Sequence, residues 1–205
     1  MPPKNIVVIG ASSVFGRIDP KGGGFVGRLK TWHENNEPNY NAVYNLGISG
    51  DTTTGMLSRL LPEAGARNPD LMILSLGTND ASRIGSLTSP HATTLNEFER
   101  KVKKLIQQSQ SLTMNVLIVS AYPIDDTKTV PLFNSNKYYL MSDIKIYIKK
   151  TQEICEQNGI LYLDLFNALI TTDYKKLLYK DGLHMNAQGH QFIFEQLKNF
   201  LMSKY

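Results

Sequence analysis

The chain has 205 residues, of which 41% are hydrophobic and 20% charged, and its formal net charge is +4. A chain of this length and composition can bury a full core, which excludes a disordered protein and predicts a single domain over residues 1–205. The basic residues are scattered, apart from short clusters at residues 100–104 and 145–150. Nucleic acid is therefore not an expected partner, because its binding needs a denser basic surface.

The sequence also excludes a fold held by disulfides or a zinc cluster, and it excludes an integral membrane protein. Cys155 is the one cysteine, so no intrachain disulfide can form and no zinc cluster is encoded. No apolar run approaches the roughly 18–20 residues that an integral membrane segment needs. The first apolar run, residues 6–9, is too short for a signal peptide. We therefore expect a cytoplasmic protein, and the sequence leaves its oligomeric state open.

The predicted elements alternate between strands and helices along the chain. A helix is predicted to begin after Thr94, where Thr94 and Glu97 form a capping-box pattern, and a last helix after Asn186, a good N-cap. Alternation of this kind predicts a parallel sheet with helices on both faces, whose ligands bind at the carboxyl edge. Five apolar runs have strand length: residues 6–9, 42–48, 71–76, 116–119 and 161–165.

The loop after the first strand, residues 10–16, has two glycines and could hold a phosphate or a nucleophile. The dinucleotide pattern needs glycine two residues after Gly10, where Ser12 stands. The Walker pattern needs lysine after its second glycine, but Arg17 follows Gly16. Both phosphate templates fail, which leaves a loop that presents a serine nucleophile, Ser12 or Ser13, or an ordinary turn.

A serine nucleophile needs a base within hydrogen-bond reach and a third group to orient that base. Asp181 and His184 are three residues apart in the loop before the last helix, a spacing that can bring the carboxylate onto the ring. The same two residues could instead cap the helix that follows. The other histidines have no carboxylate at comparable spacing: His33 in a polar helical stretch, His91 in a loop and His190 inside the last helix.

Acyl chemistry also needs hydrogen-bond donors for the oxyanion. Gly50 follows the second strand, where its backbone N–H can approach a ligand closely. Asn79 follows the third strand, and its side-chain amide can donate. Each of these stretches alone could be an ordinary turn with a helix cap.

Taken together, four blocks of the sequence resemble those of the SGNH hydrolases, also called the GDSL lipase/esterase family. Residues 10–16, 47–52, 77–80 and 181–184 are similar to the family's four blocks, in the same order. The resemblance implies Ser12 as the nucleophile, Asp181 and His184 as the other triad members, and Ser12, Gly50 and Asn79 as oxyanion donors. It also implies a three-layer α/β/α sandwich with a flavodoxin-like, five-stranded parallel sheet.

The resemblance implies hydrolysis of a small-molecule or lipid-like carboxylic ester through an acyl-Ser12 intermediate, with no metal or organic cofactor. Esters, thioesters, lysophospholipids and acetylated carbohydrates all remain open as substrates. The alternatives are a non-catalytic flavodoxin-like domain for a nucleotide or flavin and, with less support, an α/β-hydrolase. Candidate residues for the substrate pocket are Tyr122, Pro123, Ile124, Leu183 and Met185.

The chain departs from the family pattern at two positions. Ala11 stands before Ser12, where the family usually has aspartate, and Met185 follows His184, where proline is common. Because that aspartate is not a triad member, we expect activity to survive with altered local hydrogen bonding. Met185 is expected to line or adjoin the pocket.

Overall fold

The computed structural model describes residues 3–37 and 40–205. Its strands are β1 (Asn5–Gly10), β2 (Ala42–Gly47), β3 (Leu71–Ser75), β4 (Arg83–Ile84), β5 (Val116–Val119), β6 (Lys137–Tyr138) and β7 (Leu161–Leu163). Five of them form a parallel sheet in the order β2-β1-β3-β5-β7, which is the flavodoxin-like order and confirms the predicted fold class. All five predicted strands are present, although β2, β3 and β7 end one or two residues before their predicted ends.

Helices cover both faces of this sheet. They are α1 (Ser12–Phe15), α2 (Gly24–Asn36), α3 (Thr53–Gly65), α4 (Leu95–Gln110), α5 (Asp126–Thr129), α6 (Met141–Asn158), α7 (Leu165–Ile170) and α8 (Ala187–Lys204), with a 3-10 turn at Tyr174–Leu177. Val7 and Ile9 of β1 pack with buried side chains of α3, α4 and α6, whereas Ile6 and Val8 pack with those of α2, α7 and α8. Throughout the described ranges, no helix has both the length and the hydropathy that crossing a membrane requires.

The burial of each strand follows its place in the sheet. The central strands β1, β3 and β5 are covered on both faces, which explains their continuous apolar sequences. At the edge, β2 is less completely buried: Val43 and Leu46 are buried on opposite faces of the sheet, whereas Asn45 is exposed.

The five parallel strands end in one row across the sheet. Gly10 pairs with Gly47 on one side and with Ser75 on the other, and the row continues through Val119 to Leu163. Each of these is the last residue of its strand. The loops that follow therefore all leave the sheet at the same edge, where sequence reasoning placed the site.

Both predicted helix starts are confirmed. The backbone N–H of Thr94 donates to the Glu97 carboxylate at 3.3 Å, within a capping box that opens α4. The Asn186 side chain accepts from the N–H groups of Gln188 and Gly189, at 2.9 and 3.0 Å, and caps α8. These bonds satisfy donors that a helix start leaves without an intrahelical acceptor.

A two-stranded antiparallel ribbon, which sequence reasoning did not predict, joins two loops at the carboxyl edge. Arg83 of β4 pairs with Tyr138 of β6, and Ile84 pairs with Lys137. The Arg83 guanidinium also binds the Asp143 carboxylate at 2.8 Å. The ribbon ties the loop after β3 to the loop after β5, although strands of two residues carry no periodicity in the sequence.

Gly10 is closely enclosed where β1 ends. A Cβ at this position would lie 2.5 Å from Val14 Cγ2 and 2.7 Å from the Ser75 carbonyl oxygen. We expect Gly10→Ala to lower the free energy of unfolding by about 1–3 kcal/mol, because neither the strand nor α1 can move away without losing packing. Chemical denaturation measures this change.

Gly65→Ala is the matched control, since a Cβ there would meet only Leu112 Cδ2 at 3.6 Å, at the end of α3. This variant should be as stable as the wild type or slightly more stable. Equal stability of the Gly10 and Gly65 variants would contradict the close packing at the end of β1.

Candidate active site

The structure brings together Ser12 and His184, which are 172 residues apart in the sequence. Ser12 begins α1 just beyond the end of β1, and its Oγ lies 3.0 Å from Nε2 of His184. Gly16 ends this single helical turn with a φ of 86°, in the left-handed region that favours glycine. The turn therefore presents the Ser12 hydroxyl at the carboxyl edge of the sheet, within reach of a base.

The other ring nitrogen of His184 faces a carboxylate. Nδ1 lies 2.7 Å from Oδ2 of Asp181, while Oδ1 of Asp181 accepts from the N–H groups of Leu183 and His184 at 2.9 and 3.0 Å. Burial acts to raise the pKa of Asp181, but the hydrogen bonds from the His184 ring and the two N–H groups outweigh it and lower that pKa. An ionised Asp181 keeps the proton on Nδ1, so Nε2 presents its lone pair to Ser12.

A glycine fixes the shape of the turn that carries Asp181 and His184. Gly182 has a φ of 73°, and its carbonyl accepts from the Asp125 N–H at 2.8 Å. A Cβ at Gly182 would lie 2.8 Å from the Asp125 carbonyl oxygen, so the two loops contact each other through backbone. The Tyr179 N–H closes the turn by donating to the His184 carbonyl at 2.7 Å.

Asn79 lines the same shallow cavity as Ser12 and His184, and hydrogen bonds fix its orientation. Its Nδ2 donates to the Asp51 carbonyl at 2.9 Å, and its Oδ1 accepts from the Tyr139 hydroxyl at 3.0 Å. The amide therefore keeps its N–H groups directed toward the loop after β2. It has a second N–H, which a ligand in the cavity can use.

The structure places Gly50 less centrally than Asn79. Gly50 is exposed and has a φ of 84°, and no atom lies within 4 Å of where its Cβ would be. Of the described residues, its neighbour Asp51 lines the Ser12 cavity and Gly50 itself does not. Gly50 thus lies at the margin of the site, in a backbone conformation that favours glycine.

Arg59 of α3 joins the strand ends beneath the site, which sequence reasoning missed. Its guanidinium donates to the Leu46 carbonyl at 2.8 Å and to the Gly10 carbonyl at 3.3 Å. It also pairs with the carboxylates of Asp51 at 2.8 Å and Glu63 at 2.9 Å. One largely buried cation therefore fixes the ends of β1 and β2 and the loop that precedes α3.

Asp80, at the end of the third block, makes a similar link. Its carboxylate accepts from the Thr53 N–H at 3.1 Å and from the Thr53 hydroxyl at 2.6 Å, and so caps α3. Burial raises the pKa of Asp80, although these hydrogen bonds act in the opposite direction. The bonds of Asn79 and Asp80 together hold the second and third blocks against each other.

The expected pocket lining is partly wrong. Tyr122 and Leu183 line the cavity, but Pro123 and Ile124 are buried outside it. Met185 is also wrong as a pocket residue, because its side chain is fully buried in the core. The core beside it is tight, since a Cβ at Gly189 would lie 2.5 Å from Met185 Sδ.

The other three histidines have structural contacts away from Ser12. Nε2 of His33, which is buried, lies 3.0 Å from the Lys4 carbonyl oxygen. His91 Nε2 lies 3.2 Å from the Asp143 carboxylate. His190 accepts from the Phe25 N–H through Nδ1 at 3.2 Å, its Nε2 lies 3.0 Å from the Arg17 carbonyl, and burial lowers its pKa.

Known proteins share this fold. The sequence pattern of the GDSL-like Lipase/Acylhydrolase family matches residues 8–192, so the chain belongs to that family. The lipase/acylhydrolase from Enterococcus faecalis has the same fold, with a TM-score of 0.79 at 23% identity over 98% of this chain and 96% of that one. The family match confirms the family, and the structural likeness confirms the fold, that the four blocks imply.

Curated relatives of comparable identity are longer than this chain. The chain is 27% identical to the GDSL esterase/lipase CPRD49 of Arabidopsis thaliana, over 72% of this chain and 60% of that protein. It is 24% identical to the acetylxylan esterase of Geobacillus stearothermophilus, over 74% of this chain and 68% of the relative. The matched segment therefore spans about 60% of the length of the first of these proteins.

The contacts of Arg59 predict a large cost for its removal. Arg59→Met leaves the Asp51 carboxylate largely buried without its cation, and we expect a loss of about 3 kcal/mol in the free energy of unfolding. Arg59→Met combined with Asp51→Asn should recover at least half of that loss, because the unpaired charge is gone. Denaturant titration measures both values.

Arg100→Met, which removes an exposed arginine of α4, is the control and should change stability by less than about 0.5 kcal/mol. If the Arg59 and Arg100 variants were equally stable, Arg59 would not hold the strand ends as described.

Proposed function

We propose that this chain is a serine hydrolase that cleaves carboxylic esters through an acyl-Ser12 intermediate. The observation that carries the proposal is the continuous series of contacts from Ser12 Oγ through His184 to Asp181, at 3.0 and 2.7 Å. Membership of a lipase and acylhydrolase family supports the same class of reaction. The expected substrates are therefore small ester molecules.

Each residue of the triad has one role in the acylation step. His184 Nε2 removes the proton of Ser12 as Oγ attacks the ester carbonyl, and Asp181 stabilises the imidazolium that forms. The tetrahedral intermediate collapses when His184 donates that proton to the leaving alcohol oxygen. An acyl ester of Ser12 remains, which water hydrolyses with His184 again acting as the base.

The oxyanion of each tetrahedral intermediate needs donors that are already in place. Asn79 supplies such a donor, the second N–H of its side-chain amide, because hydrogen bonds with Asp51 and Tyr139 fix the orientation of that amide. The N–H of Ser12 is another, since it opens α1, and Gly50 supplies a third from the margin of the cavity. A donor of this kind typically lowers the barrier by about 3 kcal/mol.

The space beside these donors favours a short acyl group. The cavity that contains Ser12, Asn79 and His184 has a volume of only about 30 Å³. The ring of Tyr122 and the side chains of Thr78 and Leu183 are among its walls. An acetyl group is the smallest common acyl group, and one relative of the chain is an acetylxylan esterase. We therefore place acetyl esters first among the substrates.

The main alternative, a nucleotide- or flavin-binding domain without catalysis, has no use for the contacts among Ser12, His184 and Asp181. It also has no support from the family to which the chain belongs. The same family assignment leaves no basis for an α/β-hydrolase, in which the nucleophile follows a different strand.

One test of the proposed function concerns the triad. Ser12→Ala and His184→Ala should each lower kcat for p-nitrophenyl acetate by at least about 10³-fold, because each removes a group that the acylation step requires. Initial rates corrected for spontaneous hydrolysis measure the loss. Ser13→Ala is the matched control, since Ser13 lines the same cavity but forms no hydrogen bond with His184 in the described part of the chain, and it should keep most of the activity. Similar rates in the wild type and in all three variants would rule out Ser12 as the nucleophile.

Another test of the proposed function concerns the length of the acyl chain. The value of kcat/KM should fall by about 10²-fold or more from p-nitrophenyl acetate to p-nitrophenyl octanoate, because the cavity beside Asn79 is too small for the longer chain. The two esters share a leaving group, so the acyl chain alone accounts for the difference. A higher kcat/KM for the octanoate would show that the long chain binds elsewhere and would overturn the preference for acetyl esters.

A further inference from the structure

A groove lies next to the candidate site, and of Ser12, Asn79 and His184 only His184 lines it. Its volume is about 1020 Å³, much larger than that of the cavity around Ser12. His184 lines both spaces, and Asp181 lines only the groove. The two spaces therefore meet at the residue that exchanges protons with the substrate in the proposed reaction.

The position of the groove identifies which part of an ester it would receive. In the proposed mechanism the leaving alcohol oxygen takes its proton from His184 Nε2, so this oxygen must lie beside the ring. The acyl carbonyl oxygen lies on the Asn79 side instead. The alcohol part of the substrate then extends past His184 into the groove, while the acyl part stays in the small cavity.

The charges of the groove are mainly positive. Arg17 and Lys180 are exposed, and neither forms an ion pair with any residue that the structure describes. Lys128 is half exposed and lies 3.6 Å from Asp125, a carboxylate that Lys175 also contacts at 3.3 Å. Of the described residues that line the groove, Asp181 is the one with a carboxylate, and that carboxylate is bound to His184.

One wall of the groove is apolar, and hydrogen bonds between backbone groups fix the conformation of the loop that forms it. Phe133 is 80% exposed, and Pro131 and Leu132 lie beside it. The Leu132 N–H donates to the Lys137 carbonyl at 2.8 Å, and the Ser135 N–H donates to the Leu132 carbonyl at 3.0 Å. A groove with this wall and three cations suits a group that is partly apolar and carries a negative charge.

On these grounds we propose that the groove binds the alcohol part of the ester and selects alcohols that bear an anionic group, a carboxylate or a phosphate. The inference rests on the proposed function, since it assigns the two parts of an ester to the two sides of His184. Arg17 and Lys128 are the residues whose charges select the anion, with Lys180 beside the triad adding to the same field.

The test compares an anionic ester with a neutral one. The probes are 4-acetoxybenzoate and its methyl ester, and the measured quantity is the ratio of their kcat/KM values, anionic over neutral. Because both esters react in every variant, differences in their intrinsic reactivity cancel when ratios are compared between proteins. A third probe, 4-acetoxyphenyl phosphate, separates phosphate from carboxylate.

We expect Arg17→Met and Lys128→Met each to lower this ratio by about threefold to tenfold, and Arg17→Glu to lower it further. The matched control is Lys104→Met, which removes an exposed lysine of α4 that does not line the groove, and it should leave the ratio unchanged. For the wild type, the ratio should also fall as NaCl rises from about 0.05 to 0.5 M, because salt screens exposed charges. A larger ratio for the phosphate probe, lost in the Arg17 variants, would identify phosphate as the preferred group.

The inference is overturned if the ratio is the same in the wild type, the Arg17 variants, the Lys128 variant and the Lys104 control. It is also overturned if the Lys104 control lowers the ratio as much as the groove variants do. Failure of the proposed function looks different, since the folded wild type would then hydrolyse neither the anionic nor the neutral ester.

Discussion

The site depends on a constraint in the sheet: the five parallel strands end in one row. Gly10, Gly47 and Ser75 are neighbours in that row, so the loops with Ser12, Gly50 and Asn79 start side by side. The guanidinium of Arg59 strengthens the row by binding the carbonyls of Gly10 and Leu46 at the ends of β1 and β2. Side chains that are far apart in the sequence meet because their strands stop at the same level.

The parts of the structure that follow from local patterns could be predicted from the sequence. The buried strands have continuous apolar runs, and the start of α4 has a capping box, so both were found with small errors at their ends. Asp181 and His184 could be named because a serine nucleophile needs a base and an orienting carboxylate, and the resemblance to the family's first block implied Ser12 as that serine. The structure brings these three into contact, and their catalytic roles remain proposals.

Other features could not be predicted because their causes are non-local. In the sequence, Arg59 looks like any charged residue of an amphipathic helix. Its role depends on partners that lie on two strands and in a loop, which the local pattern does not show. Met185 follows His184 directly, which suggested a pocket residue, but the turn at Gly182 and the start of α8 direct its side chain into the core. Ala11 stands where the family usually has aspartate, and it lines the cavity without adding a charge. The fixed orientation of the site comes instead from the contacts of Asn79, Asp80 and Arg59.

The central claim is that His184 and Asp181 make Ser12 a nucleophile. Mass spectrometry after reaction with a fluorophosphonate tests it most directly, because this probe forms a covalent adduct with an activated serine. The account predicts one adduct per chain, located on Ser12 by peptide mapping, that forms much more slowly in the His184→Ala variant. An adduct on Ser13 instead, or labelling of Ser12 at the same rate without His184, would contradict it.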